Sequence, residues 1–252
     1  MASTALCRRC DAGNETKMRW GTPVSSITNF LENFNAGQLI YLLLSAAAAL
    51  LCITIHEVSH GYAAYRLGDP TAKAMGRLTL NPVKHIDPLG LLMMLVARVG
   101  WAKPVPVDMR YFRHPRRDMA LTALAGPLSN FVTALIAVAL ASLCWHVLPV
   151  GTAVSYLILL LCYVAVLSVG LGLFNLIPIS PLDGSKVLFA LLPDRIYGQI
   201  LRYERYFFIV VIALTLFGAF SGPLSAAIGT VLRGICLATG FPFAVFQWYF
   251  FF

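Results

Sequence analysis

The sequence predicts an all-α polytopic membrane protein with about four to six transmembrane helices. We also expect a small membrane-associated β-hairpin between the first and second core spans. Of the 252 residues, 59% are hydrophobic and only 12% are charged, and the mean hydropathy is +0.76. A soluble domain carries roughly a quarter charged residues, and a helix needs about 20 mainly apolar residues to cross a bilayer. Four stretches meet that length, at 39–66, 119–147, 152–174 and 206–231.

Composition divides the chain into three predicted regions. Residues 1–35 form a polar N-terminal leader, 36–235 a membrane domain, and 236–252 a hydrophobic, aromatic C-terminal segment. The apolar segments at 89–100 and 241–252 are too short to be spans, and they suit re-entrant or interfacial elements better.

The first predicted helix begins at Gly37 and should end near Leu67, since Gly68-Asp69-Pro70 follows it. After it comes a Pro- and Gly-rich stretch with two strand-like pieces, Gly76–Leu80 and Trp101–Val107, from which the hairpin is predicted. Irregular backbone at membrane depth must be satisfied by protein or by a water-filled cavity. The hairpin should therefore lie beside a hydrated site.

Positive charge is concentrated in particular loops, although the net charge is only +8. More than half of the Lys and Arg residues lie between Arg66 and Arg117, a second group lies at 186–205, and the connector at 146–152 has none. The positive-inside rule places both basic loops in the cytoplasm. With four spans the leader would then lie outside, although it is also basic, because its positive charge is smaller than that of the first basic loop. The pattern does not resemble a nucleic-acid surface. We expect a bacterial cytoplasmic (inner) membrane.

The strongest chemical motif is His56-Glu57-Val58-Ser59-His60, within the first predicted helix. Residues four apart share a helix face, so His56 and His60 can present their imidazoles to one zinc ion. Glu57 can then act as general base on a water at the metal. The alternative is a chance motif whose histidines bond other helices, but unpaired ionisable groups in hydrocarbon would cost several kcal/mol.

A catalytic zinc site has three protein ligands and one open position, so a third donor is needed. Asp183 is a candidate for this third ligand. It follows the span that ends near Asn175, in Asn-Leu-Ile-Pro-Ile-Ser-Pro-Leu-Asp-Gly, where the prolines break the helix and let the chain turn back. In the predicted orientation it lies on the same side of the membrane as the histidine-bearing half of the first helix.

These two motifs, in this order and about 120 residues apart, resemble the site-2 protease family of intramembrane zinc metalloproteases, peptidase family M50. The resemblance is to a short form of this family, for which no added peptide-binding or regulatory domain is expected. The resemblance covers roughly 40–215. It includes G-R-L-T-L-N-P-V-K-H-I-D-P-L-G at 76–90, G-W-A-K-P-V-P-V at 100–107 and A-G-P-L-S-N at 125–130.

The resemblance implies that His56, His60 and Asp183 bind one Zn²⁺ per chain and that Glu57 is the general base. It also aligns Asn175 with a family asparagine that helps to hold the substrate or the developing oxyanion. Asn175 could instead cap the end of its helix. Ser180 stands where the family often has proline, a departure that removes no ligand.

Three further polar residues receive other interpretations. Asn130, in A-G-P-L-S-N, is expected to pack against a neighbouring helix by hydrogen bonding. His85 and Asp87, which lie between two prolines, suit a solvated turn as well as a place behind the metal ligands.

Gly76–Leu80 is the candidate edge strand that would pair with an unwound substrate, and a purely structural hairpin is the alternative.

The expected function is a zinc endopeptidase that cleaves peptide bonds in or near transmembrane segments of membrane proteins. Its partners would be a transmembrane protein substrate and membrane lipid, and its active site would face the cytoplasmic half. The alternative is a non-hydrolytic zinc-binding or transport protein. A transporter would not need Glu57, and it would spread its ligands over several helices. A protease with its zinc in a large cytoplasmic domain ranks last, because no loop is long enough to form one.

Overall fold

A computed structural model describes residues 36–87, 90, 103–149, 151–192 and 206–250. The chain forms two compact units, 1–41 and 42–252, and the first is described only where the first helix begins. The α-helices of the described residues are α1 Ala36–Arg66, α2 Thr71–Ala74, α3 Pro115–Val147, α4 Thr152–Asn175, α5 Asp183–Ala190, α6 Tyr206–Leu216, α7 Ser221–Thr239 and α8 Ala244–Phe250, and 3₁₀ helices lie at Pro82–His85 and Met109–Tyr111.

Within the described ranges, four helices are long and apolar enough to cross a membrane: α1, α3, α4 and α7. The predicted class, a helical integral membrane protein, is confirmed. The described part of α6 is apolar but shorter than a full span. The first span ends where it was predicted to end. Gly68, with φ 113°, follows the last turn, and Asp69 N donates to Ala64 O at 2.9 Å, which is the Schellman pattern of a glycine-terminated helix.

The predicted fourth span at 206–231 is wrong, because the helix breaks at its middle. Gly218 has φ 73°, and Ala219 N donates to Leu214 O at 2.9 Å while Gly218 N donates to Thr215 O at 3.0 Å. This second Schellman pattern ends α6. A new helix, α7, then starts at Ser221 and continues beyond the predicted limit to Thr239.

The predicted β-hairpin is not supported, since the described part of 73–108 contains the end of α2, turns, bends, a 3₁₀ helix and a single bridge residue, Ile86, but no strand. Between the two parts of this loop the structure has a backbone bond from Lys103 N to His85 O at 2.9 Å, and the Arg77 side chain, rather than a ladder of backbone bonds, supplies further contacts. Its Nη1 donates to Lys84 O at 2.6 Å, and its Nη2 donates to Lys103 O at 2.7 Å and Pro104 O at 3.3 Å. Residues 101 and 102 of the second predicted piece lie outside the described residues.

His85 does not lie in a solvated turn. It is 1% exposed, and its Nε2 lies 2.9 Å from Thr79 O, so it joins two parts of the same loop. Asp87 accepts a hydrogen bond from Gly90 N at 3.0 Å. Apart from Gly90, the predicted re-entrant segment at 89–100 is outside the described residues.

α4 packs against α3 and α7, and their contacts with α1 complete a core of small apolar side chains. Small residues let helix backbones approach closely where lipid offers no hydrophobic drive for association. Ser168 of α4 donates to the Cys52 sulfur of α1 at 3.1 Å, which adds a polar contact between these two helices. The core residues that are at most 3% exposed include Ala48, Cys52, Ala134, Ala137, Val138, Ala141, Leu159, Cys162, Ala165, Val169, Leu232 and Phe246.

Among the C-terminal aromatic residues, Phe246 belongs to this core, whereas Trp248 and Tyr249 are exposed. Phe246, on α8, is fully buried and packs its ring against Phe241, with centroids 5.8 Å apart. The division into a leader at 1–35, a membrane domain at 36–235 and a terminal segment stays a prediction, and the leader lies outside the described residues.

Candidate metal centre

The structure brings His56, His60 and Asp183 into one cluster. Asp183 Oδ2 lies 3.2 Å from His56 Nε2 and 3.1 Å from His60 Nε2, and the two Nε2 atoms are 3.0 Å apart. The ligand atoms of a tetrahedral zinc ion, at bond lengths of about 2.0–2.1 Å, lie about 3.3 Å from one another. The three atoms therefore form a triangle close to one face of such a tetrahedron.

The chemistry of this cluster also suits zinc. Two imidazole nitrogens and one carboxylate oxygen make up the donor set of many catalytic zinc sites, in which a fourth position is left for water or substrate. All three residues are at least nine-tenths buried: His56 is 5%, His60 8% and Asp183 7% exposed. Three such groups in an apolar interior need a common partner, and a cation supplies one.

The two histidines converge because they are one helical turn apart on α1. Asp183 reaches them through the turn that follows α4, in which Leu182 N donates to Ile179 O at 2.9 Å. Gly184 makes this turn possible, since a Cβ there would lie 2.8 Å from Ile177 O and would also clash with the Leu176 carbonyl. A side chain at 184 would thus push Asp183 away from the histidines.

The pKa of Asp183 is well below its ordinary value. Burial alone would raise it, but the close contacts with His56 and His60 and the charge of Lys186, whose Nζ is 3.5 Å from Oδ1, favour the ionised form. Asp183 is therefore present as a carboxylate, the form that binds a metal.

One face of α3 contacts the backs of both histidines. His60 Nδ1 lies 2.7 Å from Thr122 O, and His56 Nδ1 lies 3.1 Å from Asn130 Nδ2. Between them is Gly126, where a Cβ would lie 2.7 Å from His56 Cε1 and would also clash with His60 Nε2. The absence of a side chain at Gly126 gives the two imidazoles their space.

The sequence did contain a signal for this face. Thr122, Gly126 and Asn130 recur every four residues within an otherwise apolar helix, which places them in one stripe. Asn130 does bond another helix, as expected, and its partner there is the proposed metal ligand His56. Sequence alone does not say which helix a polar stripe faces.

Glu57 is held by the loop that precedes α3. Its Oε2 accepts a hydrogen bond from Val105 N at 3.0 Å. The Arg77 contacts described above hold the two carbonyls before Val105. At the other end of this segment, the fully buried Asp69 accepts from Asp108 N at 2.7 Å and from Thr71 N at 2.9 Å.

Asn175 is near the end of α4, and its described hydrogen bond is to its own helix. Its Nδ2 donates to Leu171 O at 3.0 Å. This contact fits the helix-end interpretation, and the predicted contact with substrate or oxyanion stays a prediction.

Comparisons with known proteins agree with this chemistry. Residues 146–218 match peptidase family M50. A candidate zinc metalloprotease of Bacillus subtilis, YwhC, is 40% identical over 168 residues, which cover 66% of this chain and 76% of YwhC. The chain belongs to peptidase family M50. It is also 30% identical over 176 residues to a candidate zinc metalloprotease of Mycolicibacterium smegmatis, Rip2, with 68% of this chain and 66% of Rip2 covered.

Rip2 of Mycobacterium tuberculosis is 32% identical over 152 residues, which cover 56% of this chain and 54% of that protein. No solved structure matches the chain. As a member of M50, the protein is a membrane zinc metallopeptidase, and the predicted family, enzyme class and Zn²⁺ cofactor are confirmed.

Proposed function

We propose that this M50 peptidase cleaves peptide bonds in or near transmembrane segments of other membrane proteins, with Zn²⁺ held by His56, His60 and Asp183. The observation that carries the proposal is the position of this cluster. Both histidines lie within a helix long enough to span a membrane, and Asp183 lies eight residues after the end of a second such helix. A site built there acts on peptide bonds close to the bilayer.

When bound, zinc polarises the scissile carbonyl and makes water a stronger acid near neutral pH. Each residue has a defined task around that chemistry. His56, His60 and Asp183 supply three ligand atoms, and Glu57 takes the proton of the attacking water and later delivers it to the leaving amine. The Val105 N–H fixes one carboxylate oxygen of Glu57, which orients the base before the substrate arrives.

Asn175 is proposed to help hold the substrate carbonyl or the oxyanion that develops from it. Support comes from its place at the end of α4, eight residues before Asp183. To act on substrate, its amide would have to exchange the bond to Leu171 O for one to the substrate.

The decisive experiment compares the wild-type protein with Glu57→Gln after purification and reconstitution with a single-span substrate in proteoliposomes. Gln is close to Glu in size but cannot take a proton, so cleavage should fall by at least about a hundredfold while bound zinc stays near one ion per chain. Full cleavage by Glu57→Gln would refute the role of Glu57. Zinc binding without cleavage of the single-span substrate by the wild type would count against cleavage in or near transmembrane segments.

We further propose a bacterial cytoplasmic membrane as the compartment, with the zinc site toward the cytoplasmic half. The relatives named above are bacterial. Arg66 ends α1, while Arg116 and Arg117 lie in the first turn of α3, so these two helix ends carry the positive charge expected on the cytoplasmic side.

A further inference from the structure

Asn130 is a fully buried amide in contact with a proposed zinc ligand. Its Nδ2 is 3.1 Å from His56 Nδ1, and among the described residues its Oδ1 has no hydrogen-bond partner. A buried amide without its full set of partners costs about 1–3 kcal/mol. An apolar side chain at this position would avoid that cost, so packing alone does not account for an asparagine.

The chemistry of His56 determines which end of the amide must face it. His56 Nε2 points to Asp183 and His60, so this nitrogen offers its lone pair to a metal. A neutral imidazole that binds metal through Nε2 carries its proton on Nδ1. An Nδ1–H must donate, and its partner at 3.1 Å must accept. The amide therefore has to turn its oxygen toward His56, by a 180° rotation that hardly changes its shape.

The other histidine already has this arrangement. His60 Nδ1 is 2.7 Å from the backbone oxygen of Thr122, an atom that can only accept. Thr122 and Asn130 are eight residues apart on the same face of α3. One helix face thus places an oxygen, or an amide that can present one, behind each histidine.

From these contacts we infer that Asn130 is a positioning residue for zinc binding: its amide oxygen accepts from His56 Nδ1–H and so sets the tautomer and ring orientation of that ligand. The inference rests on the proposed role of His56 as a ligand. Hydrogen-bond partners of this kind contribute about ten- to a hundredfold to metal affinity.

Two substitutions separate an acceptor from a packing residue. Asn130→Asp keeps the shape and the accepting oxygen but cannot donate, whereas Asn130→Leu keeps the approximate volume and removes both functions. Zinc affinity of the full-length protein in detergent would be measured by competition with a chelator, and the visible spectrum of the Co²⁺-substituted protein would report ligand geometry. Ser142→Ala is the matched control, a buried polar position farther along α3 whose hydroxyl bonds Thr239 O at 2.7 Å.

We expect Asn130→Leu to lose about ten- to a hundredfold in zinc affinity, while Asn130→Asp and Ser142→Ala stay within a few-fold of wild type. The Co²⁺ spectrum should change for Asn130→Leu and not for Asn130→Asp. Wild-type affinity for Asn130→Leu, or loss of affinity in Asn130→Asp, would overturn the inference. If Asn130→Leu does not fold, Asn130→Asp alone decides between acceptor and donor.

His56→Ala distinguishes failure of this inference from failure of the proposed site. If His56→Ala binds zinc as tightly as wild type, the ligand assignment itself is wrong. If His56→Ala loses zinc but Asn130→Leu does not, the ligand stands and the role of Asn130 is refuted.

Discussion

Val105 and Glu57 are 48 residues apart in sequence, yet the backbone N–H of Val105 donates to Glu57 Oε2 at 3.0 Å. The proposed general base is therefore oriented by the main chain of another segment. A backbone donor cannot be removed by changing a side chain, except to proline. This makes the contact unusually direct to test.

Substitution of Val105 by Pro should lower the turnover number about ten- to a hundredfold, since a hydrogen bond to a charged group is worth about 1.5–3 kcal/mol. Zinc content should not change, because the metal ligands are untouched. Val105→Ala, which keeps the N–H, is the control and should remain within a few-fold of wild type. Equal activity of the Pro and Ala variants would show that the contact does not matter for the base.

Arg77→Lys should slow cleavage through the same contact. The guanidinium bonds three carbonyls, those of Lys84, Lys103 and Pro104, and an ammonium group cannot reproduce this fork. In a double-mutant cycle with Val105→Pro, the effects on turnover should be less than additive, because both changes act on the orientation of Glu57.

Arg110→Lys is the control for Arg77. Arg110 lies just beyond the same segment, but its side chain is 86% exposed and pairs with Asp108, so its replacement should leave cleavage unchanged. Fully additive effects of Arg77→Lys and Val105→Pro on turnover would instead show that Arg77 does not act through the orientation of Glu57.

Gly126→Ala should abolish tight zinc binding. The new methyl group would meet His60 Nε2 and lie 2.7 Å from His56 Cε1, so one imidazole must leave its position. Gly234→Ala is a matched substitution within a helix, where a Cβ would meet nothing within 4 Å. Equilibrium dialysis should show near-stoichiometric zinc for Gly234→Ala and much less for Gly126→Ala. Normal zinc content in both would contradict the close packing of α3 on the histidines.

Membrane orientation can be tested with single cysteines in a background without the native ones. Met75, 64% exposed after α1, should be cytoplasmic, and Gly151, in open space between α3 and α4, should lie outside. A membrane-impermeant maleimide added to intact cells should label Gly151→Cys, and it should label Met75→Cys only after permeabilisation. The reverse pattern would invert the proposed topology.

The parts of the site that could be predicted are those fixed by local geometry. Helical periodicity is enough to put His56 and His60 on one face, and the end of a span is enough to bring Asp183 to the membrane boundary. The contributions of Gly126 and Asn130 depend on which helix packs against α1, and composition does not determine that.

Two errors in the fold have equally specific causes. Hydropathy averaged over 206–231 is insensitive to a single residue, so it did not detect the left-handed turn at Gly218 that ends α6. The strand-like pieces around Arg77 have a suitable composition for a hairpin, but side-chain hydrogen bonds reach the carbonyls of Gly76, Thr79, Lys103 and Pro104, and the described residues of this stretch form no strand.

The triangle of His56, His60 and Asp183 has a thermodynamic consequence. A metal bound there is a removable cross-link that joins α1 to the turn after α4 and closes a loop of more than 120 residues. A ligand that binds only the folded chain raises its stability by mass action. The midpoint of thermal unfolding should therefore rise with free zinc and fall on chelation, so that occupancy of the site can be followed without any substrate.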